Sequence, residues 1–158
     1  MPRVIVLDTF PLSSTGKLEP PPGVVPSTLD RCHRWVRDCV AAGNRVVVPA
    51  ISYYEALREM ERLNATGQIA RLRAFCRAVP DRYLSLKDAD LELAAKLWGQ
   101  LRNAGTPTAS VDALDGDVLL AAQALSLGVP ARELVVATTN VAHLSLFLPA
   151  DLWTNIKA

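Results

Sequence analysis

Only three cysteines, Cys32, Cys39 and Cys76, occur in 158 residues, too few and too irregularly spaced for a disulfide framework or a zinc site. They read as reduced thiols of an intracellular, cytoplasmic protein. Charge of one sign is also lacking. Seventeen Lys and Arg oppose sixteen Asp and Glu, for a net charge of +1. No global field draws in an anionic polymer, so any nucleic-acid contact must come from local arginine clusters. No apolar run approaches the roughly 20 residues that span a bilayer, so no membrane is expected as a partner. The first residues lack the long apolar region and cleavage site of a signal peptide. Half the residues are hydrophobic and 21% are charged, as in a folded globular chain of one domain, 1–158.

What is present alternates between strand-like and helix-like segments. "RVIVL" (3–7) and "RVVVP" (45–49) are short continuous apolar runs, and "ELVVATTN" (133–140) is a third strand followed by a polar turn. Helical patterns cover 27–43, 52–63, 67–79 and 87–105, and "LWTNI" (152–156) is a candidate edge strand. The helix at 112–128 is apolar on nearly all sides after residue 117, so it belongs buried against a sheet. Five of the eleven prolines fall within 11–27, which predicts an extended, solvent-side loop there. Short apolar strands separated by helices imply an α/β fold, a three-layer α/β/α arrangement around a mainly parallel sheet.

In such sheets ligands bind outside the carboxyl ends of the strands. Asp8 ends the first strand, Glu55 lies just past the second, and Asn140 ends the late one. Asp112, Asp115 and Asp117 crowd the start of the buried helix. Each has an ordinary structural reading. Ser52 and Glu55 have capping-box spacing, and Asp112 with Asp115 forms a similar pair, with Asp112 the cap. Thr138 and Thr139 can finish a strand, and His143, with no His or Cys at ligand spacing, reads as a surface or packing residue. Asp8 and Asp117 differ, because an ionised group heading an apolar element needs a partner to offset its desolvation. Gathered carboxylates with no His or Cys among them point to Mg²⁺ or Mn²⁺, and the chemistry this favours is phosphoester hydrolysis.

These residues carry a resemblance. "VLDT" at 6–9, the strand–helix junction bearing Glu55, "DVLLAAQAL" at 117–125 and "TTN" at 138–140 follow one another in the order seen in PIN-domain proteins, the nuclease fold of VapC-type toxins. The D-V-L-L-A-A run from Asp117 is similar to the family's D-x-[IL]-[IL]-A-A helix, and Thr138 to Asn140 to its T-x-[DN] turn. The resemblance covers nearly the whole chain. It implies a Mg- or Mn-dependent endoribonuclease with Asp8, Glu55 and Asp117 as the acidic triad, and neutral groups, Thr9 and Thr138, close behind the ligands. Asn140 stands where many members carry a fourth aspartate. Asp115 is the acid nearest at hand to replace it, although two residues apart on a helix means about 200° of rotation from Asp117. The proline-rich stretch after Asp8 departs from the family, which runs quickly into its first helix.

Arg58 and Arg62 follow Glu55, and Arg31, Arg34 and Arg37 recur at three-residue spacing on the first long helix. They are candidates for contacts to RNA or to a carboxylate-rich partner peptide; otherwise they form a solvated face paired with Glu59 and Glu61. An antitoxin protein and a second copy of the chain are the implied protein partners. A haloacid-dehalogenase-type phosphatase would need an aspartate where Phe10 stands. A receiver domain would need an adjacent acid pair by the first strand, and none is present. The remaining alternative is a catalytically impaired PIN-like module that binds RNA or protein.

Overall fold

The computed structural model describes residues 2–105 and 111–158, the side chains of 111 and 112 excepted, so the expected capping role of Asp112 lies outside the described side chains. Strand β1 (Val4–Leu7) leads into a short helix α1 (Thr9–Ser14), then α2 (Thr28–Ala41), β2 (Arg45–Pro49), α3 (Ala50–Arg62) and α4 (Thr66–Arg77). A two-residue strand β3 (Tyr83–Leu84) precedes α5 (Asp88–Asn103) and α6 (Val111–Leu125). The chain closes with β4 (Leu134–Thr138), α7 (Val141–Leu144) and β5 (Ala150–Leu152).

The five strands form one sheet in the order β3-β2-β1-β4-β5, and every pairing is parallel. β1 sits at its centre, and its side chains alternate between the two faces. Ile5 and Leu7 pack with Leu12, Val36, Ala56 and Leu72 from helices on one side. Val4 and Val6 pack with Leu120, Ala121 and Ala124 of α6 on the other. Fully buried side chains of this size each contribute about 1.5–3 kcal/mol of transfer free energy. α5 covers the outer face of α6 through Ala94, Leu114, Val118 and Ala122. The result is the expected three-layer α/β/α arrangement, with α6 apolar on most sides because it lies between sheet and α5.

Three local expectations are corrected. The proline-rich loop does not begin at residue 11, because Pro11 is the third residue of α1. The first amides of a helix have no intrahelical acceptor, so a proline there removes nothing, and Leu12 N–H already donates to Asp8 O at 3.0 Å. The edge strand is Ala150–Leu152, and Trp153–Asn155 forms a 3-10 turn. Ser52 is not a cap: α3 begins at Ala50 after Pro49, which leaves Ser52 buried inside the helix.

The rest of the proline-rich stretch is tied to α2. Arg34 Nε donates to Glu19 Oε1 at 2.8 Å, and Arg37 Nη1 to Glu19 Oε2 at 3.3 Å. Those two arginines therefore pair with Glu19 rather than Glu59 or Glu61. Ser27 and Asp30 form the capping box that starts α2, as the serine at 27 predicts. Among the described residues, no helix is long and apolar enough to cross a membrane.

Candidate functional site

The carboxyl ends of β1 and β4, the first turns of α1 and α3, and the N-terminal part of α6 surround a cleft of about 420 Å³. Asp8, Thr9, Glu55, Gly116, Asp117 and Asn140 are among its lining residues. Four separate segments therefore deliver acid or amide groups to one rim, as strand order alone would have it.

Asp8 is held on every side. Its N–H donates to Ala137 O at 3.0 Å, extending the β1–β4 ladder by one residue. Its Oδ1 accepts from Thr9 N–H at 2.8 Å, capping α1, and its Oδ2 accepts from Thr138 Oγ1 at 2.6 Å. Thr138 is fully buried and also accepts from Asn140 N–H at 2.8 Å. A single hydroxyl thus orients Asp8 and closes the turn after β4. Thr138→Val keeps the shape but takes this partner from a partly buried carboxylate oxygen and from a partly buried amide. It is expected to cost about 1–3 kcal/mol, read as a lower urea midpoint with unchanged slope.

Glu55 accepts a hydrogen bond from Thr9 Oγ1 at 3.1 Å through Oε2. With Ser52 removed from the cap position, the capping-box reading of Glu55 fails, and its carboxylate belongs to the cleft. Asp117 lies deepest in charge terms. Its Oδ2 is buried and makes no hydrogen bond. Burial, and next the nearby charge of Asp8, push its carboxyl up to about 6.

Nδ1 of His143 lies 3.4 Å from that oxygen. This is an ion pair when the imidazole is charged and too long for a good hydrogen bond. The same Nδ1 lies 2.9 Å from Asn140 Nδ2. A neutral ring accepts from the amide there; a charged ring requires the amide turned so that its oxygen accepts. Asn140 therefore reaches Asp117 through His143. His143, expected as a surface or packing residue, is partly buried and packs between Asn140, the residue before α7 and three positions earlier, and Asp117. That spacing was the available signal.

Asp115 does not join the group. It is exposed and lines a groove between α5 and α6 with Leu91, Trp98 and Leu119, because α6 is regular there and carries Asp115 to the opposite side from Asp117. Arg62 is engaged with Glu59, Nε to Oε2 at 3.0 Å. Arg58 makes no ion pair within 4.0 Å among the described residues, and its guanidinium lies over the Tyr54 ring at 5.3 Å. Ile51, Glu55 and Arg58 share one face of α3 by helical spacing, so Arg58 stands one turn beyond the cleft.

Among the described residues, no three His, Cys, Asp or Glu side chains are grouped as a ready-made metal cage. Mg²⁺ does not require one: it keeps several waters and takes one or two carboxylates plus phosphate oxygens. A buried Asp117 oxygen that accepts no hydrogen bond, the neighbouring Asp8 charge and an all-oxygen set of acids suit such a hard cation.

No protein-family model matches the chain, and no curated protein matches it. Solved structures do. A chain of VapBC-1 from nontypeable Haemophilus influenzae aligns with TM-score 0.64 and 20% identity, over 96% of this chain and 99% of that one. A chain of FitAcB from Neisseria gonorrhoeae aligns with TM-score 0.64 and 18% identity, over the same shares. At these identities the likeness is one of fold. The chain therefore has the three-layer α/β/α PIN-like fold that its motifs resemble.

Proposed function

We propose that this chain is a metal-dependent endoribonuclease that hydrolyses phosphodiester bonds of RNA, and that Asp8, Glu55 and Asp117 hold Mg²⁺ or Mn²⁺. The observation that carries this reading is Asp117: a carboxylate whose buried Oδ2 accepts no hydrogen bond, with only His143 at 3.4 Å to set against the charge of a second acid, is costly unless a cation completes it. Bound there, the ion would lower the pKa of water and offset charge building on the phosphate. Thr138 and Thr9 keep Asp8 and Glu55 oriented. Arg58, unpaired beside Tyr54, is the side chain best suited to a phosphate of the incoming strand, and Arg62 is spent on Glu59.

VapBC-1 and FitAcB are toxin–antitoxin complexes, which supports the role of a toxin acting on cytoplasmic RNA and held by an antitoxin protein. The opposing reading, a PIN-like module that binds without cutting, draws on Asn140, whose amide is taken by His143. Cleavage of a generic single-stranded RNA separates them. With Mn²⁺ or Mg²⁺ the wild-type chain should cut, EDTA should stop it, and Asp8→Asn should abolish it. Millimolar Mn²⁺ should also raise the melting temperature, through about 3–4 kcal/mol of stabilisation at 100–1,000 times Kd. RNA bound but uncut under those conditions would favour the binding module.

A further inference from the structure

Gly116 sits inside α6, where glycine is among the least favourable residues. Its backbone does not call for glycine: the positive-φ glycines are Gly23, Gly43, Gly105 and Gly128. Its surroundings do. A Cβ built on Gly116 would lie 2.9 Å from Glu55 Oε1, with its next neighbour, Ile51 Cγ1, at an ordinary 3.9 Å. Gly99, inside α5, has nothing within 4 Å of the same position, and Gly67, inside α4, meets the end of Arg71 at 3.3 Å, so among the helical glycines only Gly116 is approached closer than 3.0 Å. Glu55 is thus held between two surfaces, the Thr9 hydroxyl on Oε2 and the bare backbone of α6 on Oε1.

We propose that Gly116 is a positioning residue: by lacking a side chain it lets the Glu55 carboxylate lie against α6 next to Asp117, and so sets the spacing of the acids that take the divalent cation. This rests on the reading of Glu55 and Asp117 as ligands. A methyl group at 116 meets only the end of a flexible side chain, so the chain can still fold while Glu55 swings away. Shortening Glu55 by one methylene makes room again.

The test uses the full chain with Mn²⁺ as the probe, following free Mn²⁺ by electron paramagnetic resonance alongside RNA cleavage. Gly116→Ala should melt no lower than wild type yet bind Mn²⁺ at least tenfold more weakly. Combined with Glu55→Asp, it should bind within threefold of Glu55→Asp alone. Gly116→Ala binding within twofold of wild type would overturn the proposal and leave the ligand reading intact, as would equal penalties in the two backgrounds. A melting point more than ten degrees lower in both Gly116→Ala chains would overturn it too, by tying the glycine to packing unrelated to Glu55. Wild type that binds no Mn²⁺ would overturn the ligand reading and this proposal together.

Discussion

Asp117→Asn should give a metal-free chain that is more stable than wild type and cleaves RNA far more slowly. The side chain is only 15% exposed, and burial with the Asp8 charge holds its carboxyl at about 6 against an ordinary 3.8. The folded state therefore keeps the proton that the unfolded chain has released. Between pH about 4 and about 6 the unfolded state binds fewer protons, so wild-type stability falls as pH rises, and above that range the loss is complete. Removing the charge relieves about 1–3 kcal/mol at neutral pH, or about 3–9 °C in a chain of this length. Melting curves of the two proteins should nearly coincide below pH 4, diverge up to pH 6 and run parallel beyond. Cleavage should fall on the order of 10²–10³-fold, since a lost ligand removes several kcal/mol of charge stabilisation. A variant less stable than wild type at pH 7 would mark Asp117 as a folding residue instead.

Gln123→Ala should be strongly destabilising although it lies outside the cleft. Gln123 is 3% exposed, on the sheet-facing side of α6. Its Oε1 accepts from Ala50 N–H at 2.8 Å and its Nε2 donates to Leu84 O at 2.8 Å. Ala50 is the first residue of α3, whose start after Pro49 has no side-chain cap of its own. One amide from α6 thus caps α3 and anchors the two-residue edge strand β3. Truncation leaves two partly buried backbone groups without these partners and opens a cavity, at a cost of about 2–4 kcal/mol, or about 6–12 °C. Gln123→Leu restores volume without the hydrogen bonds and should recover only part of the loss. Because α3 carries Glu55 and α6 carries Asp117, both variants should also weaken Mn²⁺ binding. Unchanged melting of either would remove the clamp.

Local pattern was enough to find the strands at the centre of the sheet and the long helices, because burial imposes continuous apolar runs and helical periodicity on the residues themselves. It was also enough for Asp8, which must stand at a strand end facing the rim, and for Asp117, a charge at the head of an apolar helix. Two-residue β3 was not legible, since "YL" carries no periodicity and is held in place by Val48 and Pro49 beside it and by Gln123. Pro11 misled because proline's exclusion from helices lapses in the first turn.

The sequence by itself therefore determined the layers, the strand-end carboxylate and the acid at the start of α6. Only the tertiary structure decided that Glu55 faces the cleft rather than capping its own helix, that Asp115 is turned away, and that His143 stands beside Asp117. It alone put the bare backbone of Gly116 against Glu55. The reason is geometric. Each residue rotates a helix face by about 100°, so membership of a site depends on where a helix begins and which neighbour it meets, and neither is written in any short stretch of chain.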